Sequence, residues 1–375
     1  MPLSITSVFA ELPDPRRETK NKLHSLTDVL TLATCAIIGG AESWDAIAAY
    51  AESKTSFFRR FLTLPNGIPS ADTFERVFAK LQPDAFSQAF GTWMAAACQS
   101  SGLVPIAIDG KSARRAKMNT ATGCLHVVSA WATENRLTLG QVAVAEGSNE
   151  VAAIPELLKI LDLSGAIVTI DAAGCQVANV QEIRRQGGHY LLPVKDNQPT
   201  LHAAVQSVFE RAVATEFAAI RSDGHTWLDD GHGRREERTV SVIYDPVGLP
   251  PNWTDVAAVV LVGRERKAGD ASSYTTQYYI TSHAGTAQEL GTRIRSHWGI
   301  ENSLHWVLDV VFREDDSRVR EGHAGENLAM MRRVAVSLLR RAPGKESGRT
   351  KRMKAGWDDD YLLKVLQGFQ GVEVR

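Results

Sequence analysis

What the chain has little of already narrows it. Four cysteines in 375 residues, Cys35, Cys98, Cys124 and Cys175, lie far apart with no CxxC pair. Neither a zinc knuckle nor a disulfide framework can be built on that spacing. Long apolar runs are missing as well. The most apolar early stretch, "LTLATCAIIGGA", gives way to polar residues, well short of the roughly 20 residues that a bilayer crossing needs. The N-terminus, "MPLSITSVFAELPDPRR", has neither the charged head nor the apolar centre of a signal peptide. These absences point to the cytoplasm. Net charge is scarce too, at -1, so any affinity for a polyanion must come from local clusters.

What the chain does have is enough apolar material, 44% against 23% charged, to bury one large or two to three ordinary domains. No internal repeat or long low-complexity segment interrupts it, and four textures follow one another. Residues 1 to about 100 read as helices: "SLTDVLTLATCAII" and "SWDAIAAYAESKTSFFRRFL" carry apolar residues at three-to-four spacing, and "PSADTFERVFAKL" opens on Ser70, a cap candidate. With Arg59, Arg60 and Arg76 this region suits DNA binding, although a helical cap on the next domain would show the same periodicity.

From 104 to about 197, strands and helices alternate. "VPIAIDG", "LHVVSAWA" and "LTLGQVAVAE" read as three strands, followed by helix "EVAAIPELLKIL", strand "AIVTID", helix "VANVQEIRRQ" and strand "HYLLPV". That order is the order of a ribonuclease H-like mixed sheet. Residues 198 to about 283 open with a helix and turn β-rich, as an insertion would, and helices return from 286 to 341. The expected fold class is α/β (α+β), a ribonuclease H-like mixed sheet with a helical N-terminal domain and a β-rich insertion. Residues 101–341 would form the catalytic domain. A basic tail, 342–375, closes the chain, and from Met331 to Lys354 nine Lys or Arg face only Glu346.

"PIAID" and "AIVTID" each deliver an aspartate, Asp109 and Asp171, at or near the carboxyl end of a strand, where ligands collect in open α/β sheets. Two carboxylates facing one space repel unless a cation lies between them, and a hard divalent ion such as Mg²⁺ meets that need. A turn-capping role for each aspartate is the plainer alternative. A third candidate lies in "RIRSHWGIENSLHWVLDVVFREDDSRVR". Wound as one helix, it lines up Ile300, Leu304, Val307 and Val311 on an apolar stripe and Glu301, Asn302, His305 and Asp309 on the opposing arc. Trp298 and Trp306 flank that arc, and such residues usually seek burial. His297, Glu301 and His305 step by four, but the spacing is not HExxH and no cysteine is near, which disfavours zinc.

"DGK" after a strand, "IDAAGCQ" sixty-odd residues later, "VKDNQ", and "HWGIENSLHWVLDVVFREDDSRVR" together resemble the signatures of bacterial insertion-sequence transposases of the DDE class, specifically the H-repeat-associated type. "DPRRETKNKLHSLTDVLTLATCAIIGGAESWDAIAAYAESK" and "LPNGIPSADTFERVF" are similar to the helical N-terminal region of those proteins, so the match runs from about residue 9 to about 341. The resemblance implies a metal-binding catalytic triad of Asp109, Asp171 and Glu301, with support from Asn302, His305 and Asp309. It also implies two Mg²⁺ ions, with Mn²⁺ as a substitute, a homodimer on double-stranded DNA, and strand cleavage and transfer at terminal inverted repeats near the bacterial nucleoid. Two metal ions roughly 3.5 to 4 Å apart can activate a water or a 3′-hydroxyl and stabilise the leaving oxygen of an in-line phosphodiester displacement. Lys111, Arg114 and Arg115 beside Asp109, extended by Lys195, Arg295, Arg318 and Arg320, would meet DNA phosphates. Two departures stand out: Asp196 where the resemblance leads one to expect glycine, and Ala173 where methionine is usual. A relative that binds DNA without cutting, and a nuclease that cuts without joining, are the competing readings.

Overall fold

A computed structural model describes residues 5–98, 102–117, 124–231, 234–268 and 271–368. They divide into two compact units, one built from residues 1–99, 110–153 and 300–375, the other from 100–109 and 154–299. In chain order the N-terminal helices are α1 (Ile5–Ala10), α2 (Leu26–Gly39), α3 (Trp44–Ser53), α4 (Thr55–Phe58), α5 (Ala71–Lys80) and α6 (Pro83–Ala96). Then come β1 (Val104–Lys117), β2 (Cys124–Ala132), β3 (Leu137–Ala143), α7 (Glu150–Ile160), β4 (Ala166–Ile170), α8 (Val177–Arg185) and β5 (His189–Val194). Next are α9 (Pro199–Ala214), β6 (Ser222–Gly231), β7 (Arg234–Tyr244), β8 (Ala258–Ala268) and β9 (Ala271–Thr281). The chain ends with α10 (Ala287–His297), a π-helical segment (Glu301–His305), α11 (Trp306–Val310), a 3₁₀ turn (Glu314–Asp316), α12 (Ala324–Arg341), α13 (Gly348–Trp357) and α14 (Asp359–Leu366).

The strand order is β3-β2-β1-β4-β5-β9-β8-β7-β6. β2 and β3 pair antiparallel while β1–β4 and β4–β5 pair parallel, which makes the first five strands the ribonuclease H-like mixed sheet expected. The β-rich insertion lengthens that sheet, because β9 pairs antiparallel with β5, Leu191 opposite Thr281. β4 reads Ala-Ile-Val-Thr-Ile and is buried throughout, as parallel strands covered on both faces require. One strand escapes the alternation rule: β6, "SDGHTWLDDG", is polar and carries two glycines, yet it pairs with β7 along its whole length.

In the first unit, α2 forms because Ser25 caps it, its hydroxyl accepting from the Asp28 N–H at 3.0 Å, and it stops because Gly40 turns left-handed at φ +115°. Its residues are buried on almost every side, and α12 is sealed in the same way. The segment expected as a basic tail folds into α13 and α14, leaving only residues 369–375 outside the described residues. Lys351 donates to the Ala342 carbonyl at 2.6 Å, and Arg352 lies over the Phe312 ring at 4.4 Å while donating to the Ile37 carbonyl. Long cationic side chains bury their stems and find carbonyl acceptors, so the charge run is largely structural. Among the described residues no single helix is long and apolar enough to cross a membrane.

At the start of α12, the Glu326 carbonyl accepts from Gln141 Nε2 at 3.0 Å, tying the helix to β3. Burial pushes the Glu326 carboxyl up to about 7, with the Asp84 charge adding to the rise and an Ala143 hydrogen bond opposing it. Its folded value lies above its unfolded one, so the folded chain holds the proton better. Stability is therefore full below the ordinary carboxylate range and falls as pH rises through 7. Glu326→Gln should flatten that decline and make the protein about 3 kcal/mol more stable than wild type at alkaline pH. Urea unfolding in acid and alkaline buffer checks this, and equal slopes for the two proteins would contradict it.

Candidate active site

The two aspartates come from neighbouring parallel strands in matched register. Ile108 of β1 pairs with Ile170 of β4, and Asp109 and Asp171 are the next residue on each. Adjacent strands lie about 4.8 Å apart, so the register alone brings these carboxylates to one stretch of the sheet. Asp109 is partly exposed and still within the strand, whereas Asp171 is exposed just past the strand end. The Asp171 carboxylate accepts from the Gly174 N–H at 3.1 Å, closing a turn. Glycine is needed there: a Cβ at 174 would come within 2.2 Å of Ile170 Cγ2 and 3.2 Å of Ile154 Cδ1. Asn197 donates to the Ala172 carbonyl at 2.7 Å, which anchors the same turn to the "VKDNQ" loop. Beside them, His297 Nδ1 lies 2.9 Å from Thr169 Oγ1. Burial holds this imidazole below its usual value, opposed by the Asp171 charge.

Glu301 belongs to the other unit and opens the π-helical segment. The single long helix expected from the apolar spacing is in fact broken into α10, the π turn and α11, and π turns inside helices frequently mark functional positions. The expected faces survive in part: Ile300, Leu304 and Val307 are buried and Glu301 and Asn302 exposed, while Val311, His305 and Asp309 are half-buried. Trp298 and Trp306, expected to be buried, are instead 58% and 57% exposed. His305 is pushed down to about 3 by burial and by the Arg333 and Lys111 charges, so it is a neutral imidazole at physiological pH.

Lys111 corrects the expected DNA track. It is buried, and its ammonium stands 2.6 Å from Asp309, 3.3 Å from Asp315 and 3.6 Å from Glu314. A cation desolvated among three carboxylates has its charge consumed inside the protein. Asp309 is likewise an ion-pair partner, with a carboxyl raised by burial against the pull of Lys111. Arg114 and Arg115 are exposed, paired with Asp315 at 3.4 Å and Asp316 at 3.1 Å. Lys195, Arg318 and Arg320 are exposed, and the exposed Arg295 pairs with Asp229 at 3.4 Å. The divergent Asp196 is fully exposed and 3.5 Å from His202, while Ala173 is exposed.

Two residues that no sequence signal singled out adjoin the "DGK" glycine. A Cβ at Gly110 would meet His126 Nε2 at 2.4 Å and Glu150 Oε2 at 2.7 Å, and His126 in turn lies 2.7 Å from Ser112 Oγ. Carboxylates such as those of Asp109 and Asp171 are hard oxygen donors of the kind that Mg²⁺ prefers. Among the described residues the Asp171 carboxylate accepts only a backbone N–H, and the Glu301 carboxylate makes no hydrogen bond or ion pair, its backbone carbonyl accepting the Trp306 N–H. Among those residues, no three His, Cys, Asp or Glu side chains stand together as a ready metal site.

Comparison with known proteins gives the class. Residues 100–338 match a family model described as "Transposase DDE domain", and residues 6–94 match one described as "DDE_Tnp_1-associated"; the chain belongs to the DDE transposase family. Within it, the chain is 36% identical over 369 residues to the "H repeat-associated putative transposase YhhI" of Escherichia coli K12, covering 95% of this chain and 96% of that protein. It is 40% identical over 278 residues to an "Uncharacterized protein in dhlA 3'region" of Xanthobacter autotrophicus, covering 73% of this chain and 93% of that one. Among solved structures, that of the piggyBac transposase synaptic complex with hairpin DNA aligns at a TM-score of 0.42 and 11% identity, over 97% of this chain and 78% of that one.

Proposed function

We propose that this protein cuts DNA at the terminal inverted repeats of an insertion sequence and joins the freed ends to a target, with Asp109, Asp171 and Glu301 as the catalytic carboxylates. The observation that carries the reading is the register of β1 and β4, which puts Asp109 and Asp171 each one residue past the last parallel pair, Ile108 and Ile170. Family membership supports the rest. The three carboxylates would hold Mg²⁺, two ions in all with Mn²⁺ as a substitute. When bound, the metal supplies activation of a water or 3′-hydroxyl and charge stabilisation for the leaving oxygen.

The protein's own residues then have separable tasks. The Gly174 N–H and the Asn197 amide fix the turn that presents Asp171. Asn302 and His305, on the π turn with Glu301, orient that carboxylate, and Asp309 with Lys111 braces the helix behind it. Exposed Arg114, Arg115, Lys195, Arg295, Arg318 and Arg320 contact DNA phosphates, with Arg59, Arg60 and Arg76 of the N-terminal helices adding to the grip. Residues 1–100 bind DNA and residues 101–341 carry the chemistry. Joining two ends in one event calls for two copies on the DNA, close to the bacterial nucleoid.

Cleavage and joining of a labelled duplex carrying the element's ends, with Mg²⁺ or Mn²⁺, tests the reading, with Glu301→Gln run in parallel. Metal-dependent joined product that disappears in the variant is expected. Binding with no cutting by wild type would leave a DNA-binding relative, and cutting without joined product would leave a nuclease.

A further inference from the structure

α12 carries two consecutive arginines whose surroundings differ sharply. Arg333 is fully buried and paired: it donates to Glu314 Oε1 at 2.9 Å, Ser129 Oγ at 2.9 Å and the Ala329 carbonyl at 3.1 Å, and only its Nη2 is left without a hydrogen-bond partner among the described residues. Arg332 is nearly as buried, at 5% exposure, but its guanidinium makes no hydrogen bond or ion pair among the described residues and reaches the wall of a cleft. The charges that act on it are Glu314, Arg333 and Glu42. Glu314 is engaged by Arg333 and Lys111, and Glu42 by Arg313 at 3.6 Å and Arg352 at 3.5 Å. A desolvated guanidinium without a partner costs several kcal/mol, so its retention in a folded chain asks what pairs with it.

Arg332 lines a cleft of about 680 Å³ within the first unit. Arg318 and Arg320 line it too, both exposed, with no carboxylate partner among the described residues. A fourth donor belongs to Trp44, whose indole Nε1–H is buried without an acceptor among the described residues. The cleft also holds carboxylates. Glu42 and Asp316 are paired with Arg313, Glu75 is half-buried, and Asp45 and Glu321 are exposed, where water screens them far better than it screens Arg332. What the cleft leaves unfilled are N–H donors, those of Arg332 and Trp44, and a group rich in acceptor oxygens would meet them.

We infer that this cleft is a phosphate-binding site, seated on Arg332 and flanked by Arg318 and Arg320, that takes a phosphodiester of the DNA backbone. The inference rests on the transposase reading for its ligand, but its physical basis is the unpaired arginine. A planar guanidinium suits two oxygens of one phosphate, a match that an ammonium cannot reproduce. Removing an unpaired buried charge should not harm the fold, because an apolar replacement relieves the desolvation cost.

The test uses the full chain and two probes. In thermal unfolding, inorganic phosphate should raise the Tm of wild type above that in chloride at matched ionic strength, and Arg332→Met should lose that response while its own Tm in chloride is equal or higher. In a salt series with a labelled duplex, Arg332→Met should bind at least about tenfold more weakly, with a salt slope reduced by about one phosphate contact. Arg332→Lys should restore the slope but not the full affinity. An Arg332→Met protein with a lowered Tm and wild-type DNA affinity and slope would overturn the inference in favour of a packing role. So would a wild type indifferent to phosphate whose Arg332→Lys form binds DNA normally. Phosphate stabilisation without any effect on duplex affinity would overturn the DNA assignment. Because binding is read without cleavage, a protein that binds through Arg332 but cuts nothing would refute the transposase chemistry and leave this site standing.

Discussion

Replacing Glu314 with glutamine should destabilise the protein by about 3–5 kcal/mol, because it removes the only carboxylate charge in direct contact with Arg333 among the described residues. Glu314 is 2% exposed and Arg333 is fully buried, so neither charge can turn to water for compensation. Lys111, 3.6 Å from the other Glu314 oxygen, loses part of its counter-charge in the same step. Most of the expected loss is the penalty for leaving cations uncompensated, so the double variant Glu314→Gln/Arg333→Met should recover a good part of it in a double-mutant cycle. Burial pushes the Glu314 carboxyl up, yet the Arg333, Arg332 and Lys111 charges overcome that and hold it below the ordinary carboxylate value. A depressed folded value means that this stabilisation is present above the unfolded carboxylate value and is lost as pH falls through the folded one. Wild type should therefore lose stability into acid more steeply than Glu314→Gln, and urea midpoints measured from neutral into acid pH read both the size and the sign. Parallel acid limbs for the two proteins would show that Glu314 is not the group being titrated.

How far these features could be read beforehand depends on which force decides each one. Periodicity placed the strands of the ribonuclease H-like sheet and its flanking helices, because burial on one face leaves a repeat of two or of three to four. It could not find β6, whose "SDGHTWLDDG" has no apolar alternation and is held by its pairing with β7. Nor could it find the π turn at Glu301–His305, since the apolar spacing through Ile300, Leu304 and Val307 is continuous across it. Charge was the most misleading guide. Lys111, Arg332, Arg333, Lys351 and Arg352 all read as surface cations, and all are buried. Their partners, Glu314, Asp309, Asp315 and backbone carbonyls such as Ala342, are distant in sequence or carry no side-chain signature at all. The adjacency of Asp109 and Asp171 was easier to expect, because each follows a short apolar run that reads as a strand, and the two runs pair in register.

Asp171→Asn should reduce cleavage and joining by about a thousandfold, the cost of several kcal/mol of lost transition-state stabilisation, while DNA affinity stays at the wild-type level. The amide keeps the shape and can still accept the Gly174 N–H through its oxygen, so the turn after β4 survives. What it cannot supply is charge. Asp109 and Asp171 each follow the matched pair Ile108 and Ile170 on neighbouring strands, and like charges so close repel in the absence of divalent ions, so neutralising one should leave the Tm unchanged or raise it. In wild type, Mg²⁺ should raise the Tm as any ligand selective for the folded state does, and Asp171→Asn should blunt that rise. Asp109→Asn should behave in the same way, because it removes the other half of the pair. The two readouts separate roles that activity alone would merge: lost cutting with an intact Mg²⁺ response would make Asp171 a structural cap on its turn, whereas lost cutting with a lost response makes it a ligand. Wild-type cutting by either variant would remove that aspartate from the triad.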